Sequence, residues 1–193
     1  MLRMIAESCT GVLINHGTIA AEKKNIYIYG FELFCSTVFC VMSILVLSAI
    51  FGYLDLAATF LLFFMPIRIP AGGYHAKSYG RCFILTNSVA LICVVISKLL
   101  WKIQTIEPFL WLLLLCALLC IWINAPVQSK GHPLRPDRIE KNRKYAHNLI
   151  IIEIVILLLL RSVYYSCVVY TAIVASWAVA IMILLANQEG RTK

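Results

Sequence analysis

Six apolar runs dominate the chain: Phe31–Gly52, Leu54–Met65, Cys82–Leu100, Phe109–Asn124, Leu149–Leu160 and Tyr164–Ala186. A helix needs about 20 mostly apolar residues to cross a bilayer, so the pattern predicts about six transmembrane helices. The second carries Asp55 at its start and runs into Pro66 and Pro70. It is expected to be short or broken, a state tolerated at membrane depth only where protein or water covers the backbone. The N-terminus is patterned differently. Leu2, Ile5, Cys9, Val12 and Leu13 recur mainly at helical spacing, opposed by Arg3, Glu7 and Thr10. Residues 1–25 therefore read as an amphipathic helix lying in the headgroup plane. The fold class is an all-α integral membrane protein.

Composition agrees. Of 193 residues, 62% are hydrophobic and 13% charged, whereas soluble domains average nearer half and a quarter. One membrane-embedded domain, 1–193, is expected, with no linker, repeat or soluble second domain. Glu7, Asn15 and His16 stand where the apolar core of a cleavable signal peptide would lie. Fourteen of the seventeen basic residues fall in the N-terminal segment, the loops after the second and fourth spans, and the tail; Lys98, Lys102 and Arg161 fall on the opposite side. Basic loops stay in the cytoplasm, which predicts cytoplasmic termini and an outer interface anchored by Lys98, Trp101 and Lys102.

Topology sharpens the reading of the cysteines. Six of the eight, Cys35, Cys40, Cys93, Cys116, Cys120 and Cys167, lie in apolar runs, where cysteine acts as a small hydrophobe. Cys116 and Cys120 share a face without a histidine or carboxylate, so no metal site is expected. Cys82 alone has charged neighbours. It closes segment 66–82, which contains Gly72-Gly-Tyr-His-Ala-Lys-Ser-Tyr-Gly-Arg-Cys82, the densest polar stretch in the chain.

A cytoplasmic Cys82 is a reduced, free thiol. His75 lies seven residues before it, which on a straight helix means the same face but a separation of about 10 Å. Proton transfer requires heavy atoms within about 3 Å, or one intervening water. Gly72, Gly73 and Gly80 permit a fold-back that would bring imidazole and sulfur together. Arg81 and Lys77 nearby, and the start of the third span, favour a thiolate. A Cys-His pair of this kind performs nucleophilic acyl transfer. The N–H groups of Gly72, Gly73 and the helix start are candidates for oxyanion binding, and Ser78 or Asn87 for a third, orienting residue. Each residue also has a plainer reading: packing for Cys82, a carbonyl-bonded interfacial histidine for His75, an ordinary turn for the glycines.

The run Arg68-Ile-Pro-Ala-Gly-Gly-Tyr-His-Ala, with cysteine seven residues after histidine, resembles the signature of the accessory gene regulator B (AgrB) family. The similarity extends to chain size, span layout and the basic loop that holds Ala125-Pro126-Val127. The resemblance implies a membrane cysteine endopeptidase of the bacterial cell membrane that processes a quorum-sensing precursor (AgrD-like). It puts the catalytic histidine on His75, the catalytic cysteine on Cys82, and supporting roles on Arg68 and Gly73. Cleavage through a Cys82 acyl-thioester and cyclisation to a thiolactone or lactone would follow. The precursor's acidic tail would meet the basic loop 125–148, through Lys130, Arg135, Arg138, Lys141, Arg143 and Lys144. Positive-inside topology and anionic lipids account for those charges equally well.

The resemblance is also compatible with a homodimer, although no small-xxx-small stripe in the spans demonstrates one. Membrane lipids are expected partners; nucleic acid, cofactors and metals are not. The alternative reading is a small transporter or channel, since Glu32, Asp55 and Glu153 lie in or beside spans and intramembrane ionisable groups often mark transport paths.

Overall fold

A computed structural model of the chain describes residues 2–73, 78–127, 136–163 and 167–191. Seven α-helices and no strand occur among them: α1 Leu2–Asn15, α2 Lys24–Ile50, α3 Leu54–Ala71, α4 Tyr79–Trp101, α5 Glu107–Asn124, α6 Pro136–Val163 and α7 Cys167–Arg191. Six, α2 to α7, are long and apolar enough to cross a membrane. The chain is an all-α, multi-pass membrane protein. It divides into two compact units, Met1–Leu47 and Ser48–Lys193.

The first unit holds α1 and most of α2. Helix α1 ends in a Schellman turn, with Gly17 N–H bonded to Ile14 O at 2.9 Å and Thr18 N–H to Leu13 O at 3.0 Å. Its buried residues are Ala6 and Thr10, and the Thr10 hydroxyl donates to Ala6 O at 2.7 Å. Thr10 thus lies on the covered side, not the exposed polar side that its chemistry suggested. A threonine satisfies its hydroxyl on its own helix and so buries at little cost. Ile5, Cys9 and Val12 remain exposed, while Arg3 and Glu7 pair at 3.0 Å.

The second unit is built round α7, which packs against α3, α4 and α5; α6 packs mainly on α3 and also touches α5 and α7. Close approach to α7 is possible because Ala172, Ser176 and Ala180 recur every four residues and are buried inside the unit. A small-residue stripe therefore does exist, contrary to the sequence reading, and it is consumed by packing within the chain. Opposite it, α3 buries Phe60, Phe63, Phe64 and Ile67, with Phe60 and Phe64 stacked at 4.8 Å between centroids.

Helix α3 does not break at its prolines. It continues through Pro66 and Pro70 to Ala71, a length of about 27 Å at 1.5 Å per residue. A proline removes one helical hydrogen bond, and neighbours buried on several sides hold the helix together despite the loss. The polar stretch after α5, expected as a loop to 148, is helical from Pro136. At the other end of the unit, Lys98 Nζ sits 3.6 Å above the Tyr53 ring, and Trp101 meets Tyr170 edge-on at 5.3 Å.

Candidate functional site

The polar chemistry gathers where α3 ends and α4 begins. Helix α3 stops because Gly72 takes φ +73 and Gly73 φ +120, backbone angles that L side chains rarely adopt. The Gly72 N–H bonds Arg68 O at 3.2 Å. The Arg68 guanidinium turns back over the same corner and donates from Nη1 to Gly72 O.

Space makes the same demand as backbone angle. A Cβ on Gly72 would lie 2.5 Å from Val127 O, and one on Gly73 would strike the Arg68 guanidinium and come 3.4 Å from Met182 O. Val127 is present because the chain after α5 runs alongside: its N–H bonds Ala71 O at 2.9 Å, forming an isolated parallel bridge with Gly72. The corner is therefore enclosed by residues from α3, from the segment after α5, and from α7.

Cys82 enters from α4. Ser78 caps that helix: its Oγ accepts the Arg81 N–H at 3.3 Å, and Cys82 N–H bonds Ser78 O at 2.9 Å. This places Cys82 in the first helical turn, where backbone N–H groups and the helix dipole favour negative charge. The thiol is partly buried and free, and lies within electrostatic range of Arg68. The other seven cysteines are also free thiols.

The expected site residues divide clearly. Arg68, Gly72, Gly73 and Cys82 converge on one end of the bundle. His75 lies outside the described residues, as do Lys130 and Arg135. Arg138, Lys141, Arg143 and Lys144 are exposed on the first turns of α6, with Lys144 Nζ paired to Glu140 at 2.8 Å and Lys141 near the Tyr145 ring. Gly80, expected to help fold the segment back, is instead an exposed residue inside α4 with open space around it, and the positive-φ glycines of the described part of the segment are Gly72 and Gly73. Ser78 is committed to capping, and Asn87 donates to Phe83 O on its own helix at 2.9 Å.

Sequence reasoning missed the braces of this end. Asn187 on α7 donates to Asn124 Oδ1 on α5 at 3.0 Å. The His147 ring on α6 stacks on Trp122 at 3.7 Å and hydrogen-bonds its carbonyl at 3.1 Å. Asparagine at the end of two apolar runs was the available signal. By contrast, the cleft lined by Glu107, Trp111 and Arg161 belongs to the far end of the bundle, about 28 Å along α4 from Cys82. There Arg161 closes on Glu107 at 2.6 Å.

Apolar helices with a thiol, a guanidinium and a glycine corner at one end define a multi-pass membrane protein with a polar site at its margin. The model of one protein family, Accessory gene regulator B (AgrB), matches residues 6–185, and the chain belongs to that family. Membership gives it a role in processing quorum-sensing peptides, with a peptide precursor in the membrane as partner. No match was found among curated proteins or among solved structures.

Proposed function

We propose that the chain is a membrane cysteine endopeptidase that cuts the C-terminal tail from its precursor, with Cys82 as nucleophile and His75 as general base. The observation that carries this reading is the position of Cys82. It sits in the first turn of α4, within electrostatic range of an Arg68 that the glycine corner holds in place.

His75 takes the thiol proton, and the sulfur attacks the carbonyl that joins core to tail. As the C–N bond breaks, His75 returns the proton to the departing amine, and the core remains on Cys82 as a thioester. A thiol or hydroxyl of the core then attacks that carbonyl, giving a thiolactone or lactone and freeing Cys82. Exchange of one thioester for another largely conserves bond energy. Arg68 stabilises the sulfur whenever it is negative. N–H groups at the start of α4, with those of Gly72 and Gly73, are the donors proposed for the oxyanion.

The precursor's acidic tail is drawn to the cytoplasmic basic surface that includes Lys130, Arg135, Arg138, Lys141, Arg143 and Lys144, a field that raises encounter rates. Lipid headgroups share that surface. The exposed apolar side of α1 lies on the inner leaflet beside the precursor's leader. The whole chain acts as one peptidase domain, as a monomer or a homodimer.

Reconstituted into vesicles with a synthetic precursor, the wild-type chain is expected to release the tail, while Cys82→Ser and His75→Ala insert normally and release none. Full processing by either variant overturns the dyad. A second reading, a small transporter, draws on the buried Glu153 of α6. Selective alkylation of Cys82 at neutral pH supports the peptidase, because a transporter has no need of a reactive thiol.

A further inference from the structure

Glu153 takes no part in that chemistry, yet its placement is unusual. Along α6 the residues Ala146, Ile150, Glu153 and Leu157 follow at steps of four, three and four, one face of a helix, and are 0%, 2%, 5% and 2% exposed. This face turns inward, since α6 packs on α3, α5 and α7. A carboxyl thus occupies a position in an otherwise apolar stripe.

Among the described residues, neither Glu153 oxygen has a hydrogen-bond partner. Nor is Glu153 in a salt bridge among the described residues, or in a group of three or more potential metal-binding side chains among them. It lies six residues from His147 and eight from Arg161, about 9 Å and 12 Å along the helix. In a hydrocarbon core about 30 Å thick, that is close to the middle.

The helices packed against α6 bring no counter-charge to this depth. Helix α3 has Asp55 in its first turn and Arg68 in its last. Helix α5 has Glu107 at its start, with Cys116 and Cys120 further on. Helix α7 has Cys167 and Tyr170 near its start and Glu189 and Arg191 near its end. On α6 itself the other titratable groups are Asp137, Arg138, Glu140, Lys141, Arg143, Lys144, Tyr145 and His147 towards one end and Arg161 towards the other.

We infer that Glu153 is a proton-binding site inside the bundle, occupied while α6 is seated on α3, and is thereby a modification site for apolar carboxyl reagents. An ionised carboxylate without partner or hydrogen bond is poorly tolerated in such surroundings, whereas a carboxylic acid is compatible with them. The proton lets α6 lie against the helix whose last turn carries Arg68 and which leads into Gly72, so the carboxyl belongs to the scaffold of that corner and not to its chemistry. The inference does not depend on the peptidase reading.

Dicyclohexylcarbodiimide, which partitions into bilayers, provides the test. The carboxyl proton moves to one nitrogen of the reagent and the carboxylate oxygen adds to its central carbon. An acyl shift to nitrogen then leaves a stable N-acylurea, with nothing lost. An exposed glutamate is protonated in about one molecule in a thousand at pH 7.3, so reaction there is slow.

The full chain in vesicles at neutral pH is treated with this reagent, digested and mapped by mass spectrometry. The adduct is expected on Glu153 and absent from Glu153→Gln. A water-soluble carbodiimide with a soluble amine, applied at about pH 5 where exposed carboxyls are partly protonated, is expected to modify exposed Glu22 while sparing Glu153. Absence of the Glu153 adduct, or equal modification by both reagents, overturns the inference. Suppression of the adduct by sodium ions at constant pH also overturns it, because the occupant would then be a metal cation.

Discussion

Val127 donates its backbone N–H to the carbonyl of Ala71 at 2.9 Å, joining the chain after α5 to the last residue of α3. This contact explains why Gly72 must be glycine: the next carbonyl along, that of Val127, occupies the space a side chain would need.

Gly72→Val is expected to abolish tail release while the protein still inserts. Forcing a branched residue to positive φ costs about 1–3 kcal/mol, and the clash with Val127 adds to it. Processing assays alongside membrane fractionation check this. Normal processing by the variant would show that the corner is not needed.

Gly80→Ala provides the contrast. Gly80 lies inside α4 in open space, where alanine is the better helix former by about 0.5–1 kcal/mol. Activity is expected to be retained and the melting temperature unchanged or slightly higher.

Arg68→Gln removes the cation near Cys82, and Arg68→Lys keeps it while losing the fork that reaches Gly72. Alkylation of Cys82 by iodoacetamide at neutral pH is expected to slow most in the glutamine variant and less in the lysine variant. Equal rates in all three proteins would show that Arg68 does not act on the sulfur. Cys35→Ser and Cys116→Ser are expected to leave both alkylation at Cys82 and processing unchanged.

Asn187→Ala breaks the hydrogen bond between α7 and α5, and is expected to lower stability by about 1 kcal/mol. Thermal unfolding in detergent measures this. A larger loss in processing than in stability would show that the brace also tunes the corner.

Reversing Arg138, Lys141 and Arg143 to glutamate is expected to weaken precursor binding, most strongly at low salt, where charges are least screened. Lys144, already paired with Glu140, is expected to contribute less. Affinity that is unchanged at every ionic strength would assign these residues to lipid contact and topology alone.

Much of the architecture was legible in the sequence because bilayers impose a length and a composition on each span. The chemistry of segment 66–82 stood out for the same reason, as polarity in an apolar chain. What was not legible came from tertiary contacts. Nothing local in Pro66 and Pro70 announces that buried neighbours keep α3 continuous. Gly80 and Gly73 are the same residue type a few positions apart, and it is the fold that distinguishes them, through the positive φ of Gly73 and the Arg68 guanidinium and Met182 carbonyl beside it. Ala172, Ser176 and Ala180 suit an interface of any kind; packing decides that they serve this chain's own bundle.

The glycine corner is finished by distant parts of the chain: Val127 comes from beyond the fifth helix, and Met182 from the seventh. A ribosome that has delivered Arg68, Gly72, Gly73 and Cys82 has therefore not yet delivered the walls around them. The walls around the corner are complete only when the final helix has joined the bundle, so a chain truncated before α7 is expected to release no tail in the processing assay.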